Sequence, residues 1–587
     1  MNKLNKYFLL LICTCCISLP SIFSQTVEQV YGLRIKSAND FIYNIPYPIS
    51  IDSTQVTNKG VHPSRLKYQN VVEIYNNGKK RVVFGDDECY LFLSKTIVLP
   101  NERNKQHSCS VSLNYKSEID SVRFIITALD KYENTLYSDS AFLNKTDQWT
   151  DLTFNFHKEK TQAINLILFR DGRYDEDQDL SLYLDRISVR LGDQELNDRL
   201  VDSLVEKDKI QLNPKAIVKL SSQDINSFSA IKEWKNKKLI ALGSSLENID
   251  DILNAQVQSM KYLISSENCK LILLEVPVNL CTRWNLYLQG IWTEVDEGKL
   301  NEELKDNVAQ PQIWFDFFKW VRKYNMTAKN PVRVAGTKLD VNQHWWLKDY
   351  LLTLSDNEKD SIYIQKALTN FYRKEIVEEL KEYILQSSIV KKLNKQDCQY
   401  LMYTLDVWSI SPLMYIGYES DESRLTSFES HTKRIEQAID IYLSSNEKAI
   451  LIAPLRRINK RYPLLNIAEK YGEDIKSDQL GSYLHQRYGK KYFAVSFQLG
   501  ERPQNHNWIP KSNQEYNFHT FPFAFERAAL DTKLDYFYYP SNKIPDGIMG
   551  LNMYFRPSGI NNIPFRYCYI PYHFDALVFI SDWIVLI

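Results

Sequence analysis

The sequence predicts two folded units, an all-β sandwich followed by an α/β domain with a helical insertion, and three observations carry that prediction. At 587 residues the chain is longer than one hydrophobic core supports, because cores stop growing near ~250–300 residues and longer chains divide. From about Val27 to Leu191 apolar residues alternate in short runs between polar turns, the period of half-buried strands. Beyond about residue 230 compact apolar runs alternate with amphipathic segments, the order of strands flanked by helices.

Composition narrows the function classes. The chain is 44% hydrophobic and 25% charged, enough apolar surface to offset the entropy of ordering the backbone. Lys plus Arg number 72 and Asp plus Glu number 72, so no global field draws in nucleic acid, and none is expected as a partner. Aromatics reach 13%, which suits strand packing and a sugar-facing surface equally.

Residues 1–25 read as a signal peptide: Lys3 and Lys6 precede the apolar run Tyr7 to Leu19, followed by Pro20 and the small Ser24. The run is shorter than the ~20 residues of a bilayer-spanning helix. An exported protein (periplasmic, cell-surface or secreted) with no transmembrane segment after cleavage is therefore expected. Cys89, Cys109, Cys269, Cys281, Cys398 and Cys568 show no zinc-ligand spacing, so neither a metal nor another cofactor is expected. Cys89 and Cys109 are open to a disulfide or to two free thiols.

Residues 26–195 form the predicted sandwich. Its last runs are Trp149–Phe156, Ile164–Leu168 and Leu182–Val189, the last carrying Leu184-Asp185-Arg186-Ile187. A Trp-led strand before a final Leu-Asp-x-Ile strand resembles the end of carbohydrate-binding jelly-roll modules. The resemblance implies a jelly roll whose exposed aromatics could stack on sugar rings, and packing of Trp149 and the tyrosines is the competing reading. Interleaved charges from Gly192 to Lys209 mark a connector, giving a linker at 196–230 and an α/β domain at 231–587.

The first α/β strand, Leu239–Leu242, runs into Gly243-Ser244-Ser245-Leu246-Glu247-Asn248. Ile249, Ile252, Leu253, Val257, Met260 and Ile264 then give one apolar face of a helix. The next strand, Leu271–Leu274, ends at Glu275, with Asn285-Leu286-Tyr287-Leu288-Gln289-Gly290 behind it. Arg322-Lys323-Tyr324-Asn325 closes a helix, and Gly336-Thr337-Lys338 ends a strand. Then come Ala453-Pro454-Leu455-Arg456-Arg457, Gly481-Ser482-Tyr483-Leu484 and the closing Phe574-Asp575-Ala576-Leu577. In their order and spacing, from roughly residue 235 to the C-terminus, these segments resemble the erythromycin esterase family.

That resemblance implies a crevice at the carboxyl ends of the strands, where a histidine acts as general base on water to open a macrolide's ester ring. Position by position, this chain departs from the pattern. Ser244 stands for the family's glutamate and Glu247 for its histidine; Lys338 replaces an aspartate, and Pro454 and Arg457 replace two histidines. Glu275 alone is kept. Proline relays no proton, and a guanidinium with a pKa above ~12 is no base at neutral pH. The expectation is a catalytically degenerate domain that binds a small-molecule or carbohydrate ligand, with Ser244, Glu247, Glu275, Lys338 and Arg457 lining the site and Glu275 as a remnant catalytic carboxylate. The rival is an active hydrolase of an ester, lactone or peptide-derived substrate with rebuilt acid and base groups from Glu247, Glu275 and Lys338. A carbohydrate-binding surface protein working through its sandwich is the third reading.

His344, His431, His485, His506, His519 and His573 fall on none of the family's histidine positions; His573, just before the closing strand, is the best placed to reach the crevice. Residues 341–421 are expected to be helical and to cover the crevice, with Tyr363, Ala367, Phe371, Ile376 and Leu380 spaced for one buried face. Oligomeric state leaves no trace in the sequence.

Overall fold

The structure is a computed structural model that describes parts of residues 61–195, and residues 210–581 apart from 245–249, 294–295, 339–343, 370–373, 417–421, 462–479, 501–523 and 553–564. The signal peptide, the Glu247 position and the Cys89 side chain lie outside the described residues.

The N-terminal part holds β1 (Val61–Pro63), β2 (Val72–Tyr75), β3 (Arg81–Phe84), β4 (Asp87–Val98), β5 (Ser108–Ser117), β6 (Val122–Leu129), β7 (Thr135–Leu143), β8 (Thr146–His157), β9 (Ala163–Asp171), β10 (Ser181–Leu191) and β11 (Gln194–Glu195). They pair antiparallel into two sheets, one ordered β1-β2-β10-β5-β8 with β11 on β10, the other β3-β4-β9-β6-β7. In β5 the alternation has its physical counterpart, since Cys109, Val111, Leu113 and Tyr115 are buried while Ser110, Ser112 and Asn114 are not. Trp149, on the edge strand β8, is exposed, as are Leu136 and Phe142 on the edge strand β7. Trp149 thus sits at the surface of the sandwich rather than in its core.

The C-terminal part is built on β12 (Val218–Lys219), β13 (Leu239–Ser244), β14 (Cys269–Pro277), β15 (Arg333–Lys338), β16 (Lys448–Ile452), β17 (Tyr492–Leu499), β18 (Tyr536–Pro540) and β21 (Ala576–Ile580), with β19 (Gly550–Asn552) and β20 (Phe565–Tyr567) as a separate ribbon. The eight-stranded sheet runs β12-β18-β21-β17-β13-β16-β14-β15. From β21 to β15 the neighbours are parallel, and β18 and β12 close one edge antiparallel. Helices cover both faces, making this an α/β domain with a mixed sheet. Alternate residues feed two cores: Ile240, Leu242, Ile272 and Leu274 face one, Leu239, Ala241, Leu271 and Leu273 the other.

Several segments that carry the family resemblance hold this sheet together. Asn285, on the helix Val278–Leu288, accepts from Val334 N at 2.9 Å and donates to Val334 O at 2.8 Å, satisfying both backbone groups at the free edge of β15. Asn325 does the same one residue pair earlier, accepting from Val332 N at 2.7 Å and donating to Val332 O and Leu288 O at 3.0 Å each. Asp575 accepts from Ala494 N at 2.9 Å and pairs with Lys460 at 2.9 Å.

Between β15 and β16 lie the helices His344–Leu354, Glu358–Thr369, Lys374–Gln386, Lys395–Ile416 and Glu422–Tyr442. The expected face Tyr363, Ala367, Phe371, Ile376, Leu380 is offset from the observed one. The buried positions are Ile364 and Leu368 on one helix and Val377, Leu380 and Ile384 on the next, while Tyr363 is half-buried and Phe371 falls between the helices outside the described residues. Tyr363 stacks at 3.8 Å on Tyr383, whose hydroxyl donates to Asp360 at 2.8 Å, and the aliphatic neighbours take the core. Trp346 is buried in the core beneath these helices. Among the described residues no helix is long and apolar enough to cross a membrane.

Candidate functional site

The strand order puts β13, β16, β14 and β15 side by side, so the segments leaving their carboxyl ends are neighbours although they span residues 244 to 457 in sequence. Chain connections diverge here, since the chain leaves β13 toward β14 on one side and later returns through β16 to β17 on the other. Such a divergence opens a crevice above the sheet.

Glu275 enters this crevice through an irregularity in β14. Leu274 pairs with Gly336 and Pro277 with Lys338, so Glu275 and Val276 together oppose Thr337, a bulge that re-aims the side chain at the strand end. The bulge presses on β15: a Cβ at Gly336 would sit 2.4 Å from Pro277 O, closer than any side chain tolerates, which is why glycine stands there. Arg457 arrives on the short helix Leu455–Ile458 after β16, whose first turn is closed by Arg457 N donating to Pro454 O at 2.8 Å. This helix reaches over β13, where a Cβ on Gly243 would meet Ala453 O at 2.9 Å and Ile458 Cδ1 at 2.6 Å. Both motif glycines are thus explained by packing alone.

The outcome is a charged triad. Glu275 Oε1 lies 3.5 Å from Arg457 Nε, and its Oε2 lies 3.8 Å from Lys338 Nζ. Glu275 and Arg457 are mostly buried, with 12% and 18% of their side chains exposed, whereas Lys338 at 47% reaches into solvent. Two cations therefore face one carboxylate, and Oε1 is buried and accepts no hydrogen bond from the described residues. Of the sequence-proposed residues, Glu275, Lys338 and Arg457 come together. Ser244 is buried at the end of β13, in register with Phe497 of β17, and is engaged in other interactions.

Two features escaped sequence reasoning. Asp251, in the first turn of the helix Asp250–Ser266 that follows β13, is buried, and burial together with the neighbouring Asp250 pushes its carboxyl up to about 6. Nothing in the residue pattern singles it out, because the same Asp-Asp pair at a helix start reads as an ordinary favourable charge at the dipole's positive end. The second is the polar pair Ser496 and Gln498, fully buried in β17 and hydrogen-bonded to each other, inside a strand that otherwise reads as apolar.

His573 stays out of the crevice. It lies before the amino end of β21, buried, with Nδ1 2.9 Å from Asn459 Oδ1 and Nε2 2.7 Å from Glu133 Oε1. Among the described residues no group of three or more His, Cys, Asp or Glu is placed to hold a metal ion.

No protein-family model matches the chain, and no curated protein matches it in sequence. Solved structures are similar to it at low identity. A Bacillus cereus protein shares 14% identity over 62% of this chain and 95% of its own, with a TM-score of 0.45. A protein described as a succinoglycan biosynthesis protein shares 13% over 65% of this chain and 97% of its own, also at 0.45. An erythromycin esterase mutant in its open conformation shares 13% over 62% of this chain and 96% of its own, at 0.37.

Proposed function

We propose that this is an exported, erythromycin-esterase-like protein whose crevice binds a ligand without the family's hydrolysis. The observation that supports it best is Glu275, the carboxylate kept from the family pattern, standing between Arg457 and Lys338 at the carboxyl end of β14 with part of its side chain still exposed. A general base must be free to take a proton from water within hydrogen-bond reach. A carboxylate flanked by a guanidinium and an ammonium is instead suited to orienting a bound polar group. The test is incubation of the purified chain with erythromycin, followed by mass spectrometry of the lactone. The macrolide should remain intact at every pH from 5 to 9; ring opening that disappears in Glu275→Ala would refute the proposal.

Asp251 favours a second reading, an active hydrolase acting on an ester, lactone or peptide-derived substrate. A carboxyl pushed up to about 6 in the first turn of the helix that follows β13 has the pKa of a working acid or base. On this reading hydrolysis of a simple activated ester would rise with pH through about 6 and vanish in Asp251→Asn. The carbohydrate reading draws on Trp149 and Phe142, exposed on adjoining edge strands of the sandwich. Retention of the chain on immobilised polysaccharide, lost in Trp149→Ala, would support it.

A further inference from the structure

The turn Asp130–Asn134, between β6 and β7, is built to present one side chain. Asp130 Oδ1 accepts from Tyr132 N and Asn134 N at 2.8 Å each, and Asp130 Oδ2 accepts from Asn134 Nδ2 at 2.9 Å. The closure puts Glu133 at φ +64, a left-handed conformation that glutamate seldom adopts, and buries it against residues more than 300 positions away. Glu133 Oε1 accepts from Tyr569 N and meets His573 Nε2 at 2.7 Å. Around it Tyr567 donates to Asp130 O at 2.6 Å, Arg461 Nη1 donates to Tyr132 O at 3.2 Å, and the rings of Tyr132 and Tyr569 meet edge to face at 5.0 Å.

The hydrogen bonds constrain which ring nitrogens of His573 carry protons. Asn459 Oδ1 accepts from Arg461 N at 3.0 Å, so the oxygen of that amide, not its nitrogen, is the atom 2.9 Å from His573 Nδ1. Nδ1 must therefore donate. Nε2 faces the Glu133 carboxylate, whose pKa burial pushes up but the charge and hydrogen bond of His573, the Tyr569 N–H and the charge of Arg461 bring below the ordinary value. With Glu133 ionised, Nε2 donates as well, and an imidazole that donates from both nitrogens is an imidazolium.

We propose that Glu133 and His573 form a proton-set latch that holds the sandwich onto the α/β domain and loosens when His573 loses its second proton. Deprotonation leaves a ring lone pair aimed at a carboxylate or amide oxygen in a buried site, which repels the turn. Of the other charged groups nearby, Arg461 also favours the Glu133 carboxylate through its charge. Arg461 is engaged with Tyr132 O, Lys460 pairs with Asp575 at 2.9 Å, and Lys131 pairs with Asp546 at 3.1 Å on the exposed rim. The sign follows from linkage: the His573 contribution is complete below the pH where a free imidazole titrates, ~6.5, and is lost as pH rises. The Glu133 contribution is complete above ~4.5 and is lost as pH falls.

The test uses the full chain labelled with ¹⁵N at its nine histidines. At pH 6.5 the His573 signal, identified by its loss in His573→Gln, should show both nitrogens protonated. Amide exchange in residues 130–134 and 569–573 should quicken at least tenfold beyond the intrinsic pH trend between pH 6.5 and 9, with β13 and β17 unaffected. Glu133→Gln should already exchange fast at pH 6.5. A neutral His573 ring at pH 6.5, or protection of both segments that is flat to pH 9, overturns the latch, and the wild-type measurements decide this whether or not the variants fold.

Discussion

Glu275 Oε1 faces Arg457 Nε across 3.5 Å, a guanidinium where the resemblance places an imidazole. The pair is mostly buried, while Lys338 on the other oxygen reaches solvent. The two cations should therefore differ in worth. Arg457→Met should lower unfolding free energy by on the order of 1–3 kcal/mol, because it strands a buried carboxylate. Lys338→Met should cost below about 0.5 kcal/mol. Urea titrations of both variants check this, and equal effects would contradict the burial argument.

Asp251 gives a pH signature. Its carboxyl is raised in the folded protein, so the penalty for ionising it is absent below the unfolded value of 3.8, grows through about 6, and is full above that. Asp251→Asn removes the penalty. The variant should match the wild type at pH 4 and exceed it at pH 8 by on the order of 1 kcal/mol, read as a rise in Tm. A variant less stable than the wild type at pH 8 would show that the charged form is held by a partner.

Gly336→Ala would put a methyl group 2.4 Å from Pro277 O at the β14 bulge. Backbone cannot step aside as a flexible side chain can, so a loss of on the order of 1–3 kcal/mol is expected, with the Glu275 environment perturbed. Denaturant unfolding measures the first, and the Arg457→Met increment in the same background measures the second.

Asn285→Ala should expose both Val334 backbone groups at the edge of β15 without partners. Each buried unsatisfied group costs about 1–3 kcal/mol, and hydrogen exchange of β15 should quicken selectively. Unchanged protection at Val334 would mean that the edge is held by other contacts.

These positions show what the sequence holds and what it hides. Six strands of the α/β sheet were legible because each is a compact apolar run, whereas β12 and β18 at its antiparallel edge were not singled out; the alternation in β5 was legible because one face is buried. Asn285, Asn325, Gly336 and Gly243 were recognisable as motif members, and their work is structural: edge satisfaction and close approach. Such demands are set by the sheet and its edge, independently of any acid or base group nearby. The break between the helices ending at Thr369 and starting at Lys374 was not legible, since periodicity continued across it and only packing decided which residues turn inward.

By itself the sequence determined the order of six of the sheet's strands and the residue types at their ends, because hydrophobic period and covalent order are local properties of the chain. Tertiary structure alone decided that Glu275 meets Arg457, that Asp251 is buried enough to titrate near 6, and that His573 is paired with Glu133 440 residues away. Those outcomes depend on distance and on the water excluded around each charge, and neither exists until the chain has closed on itself.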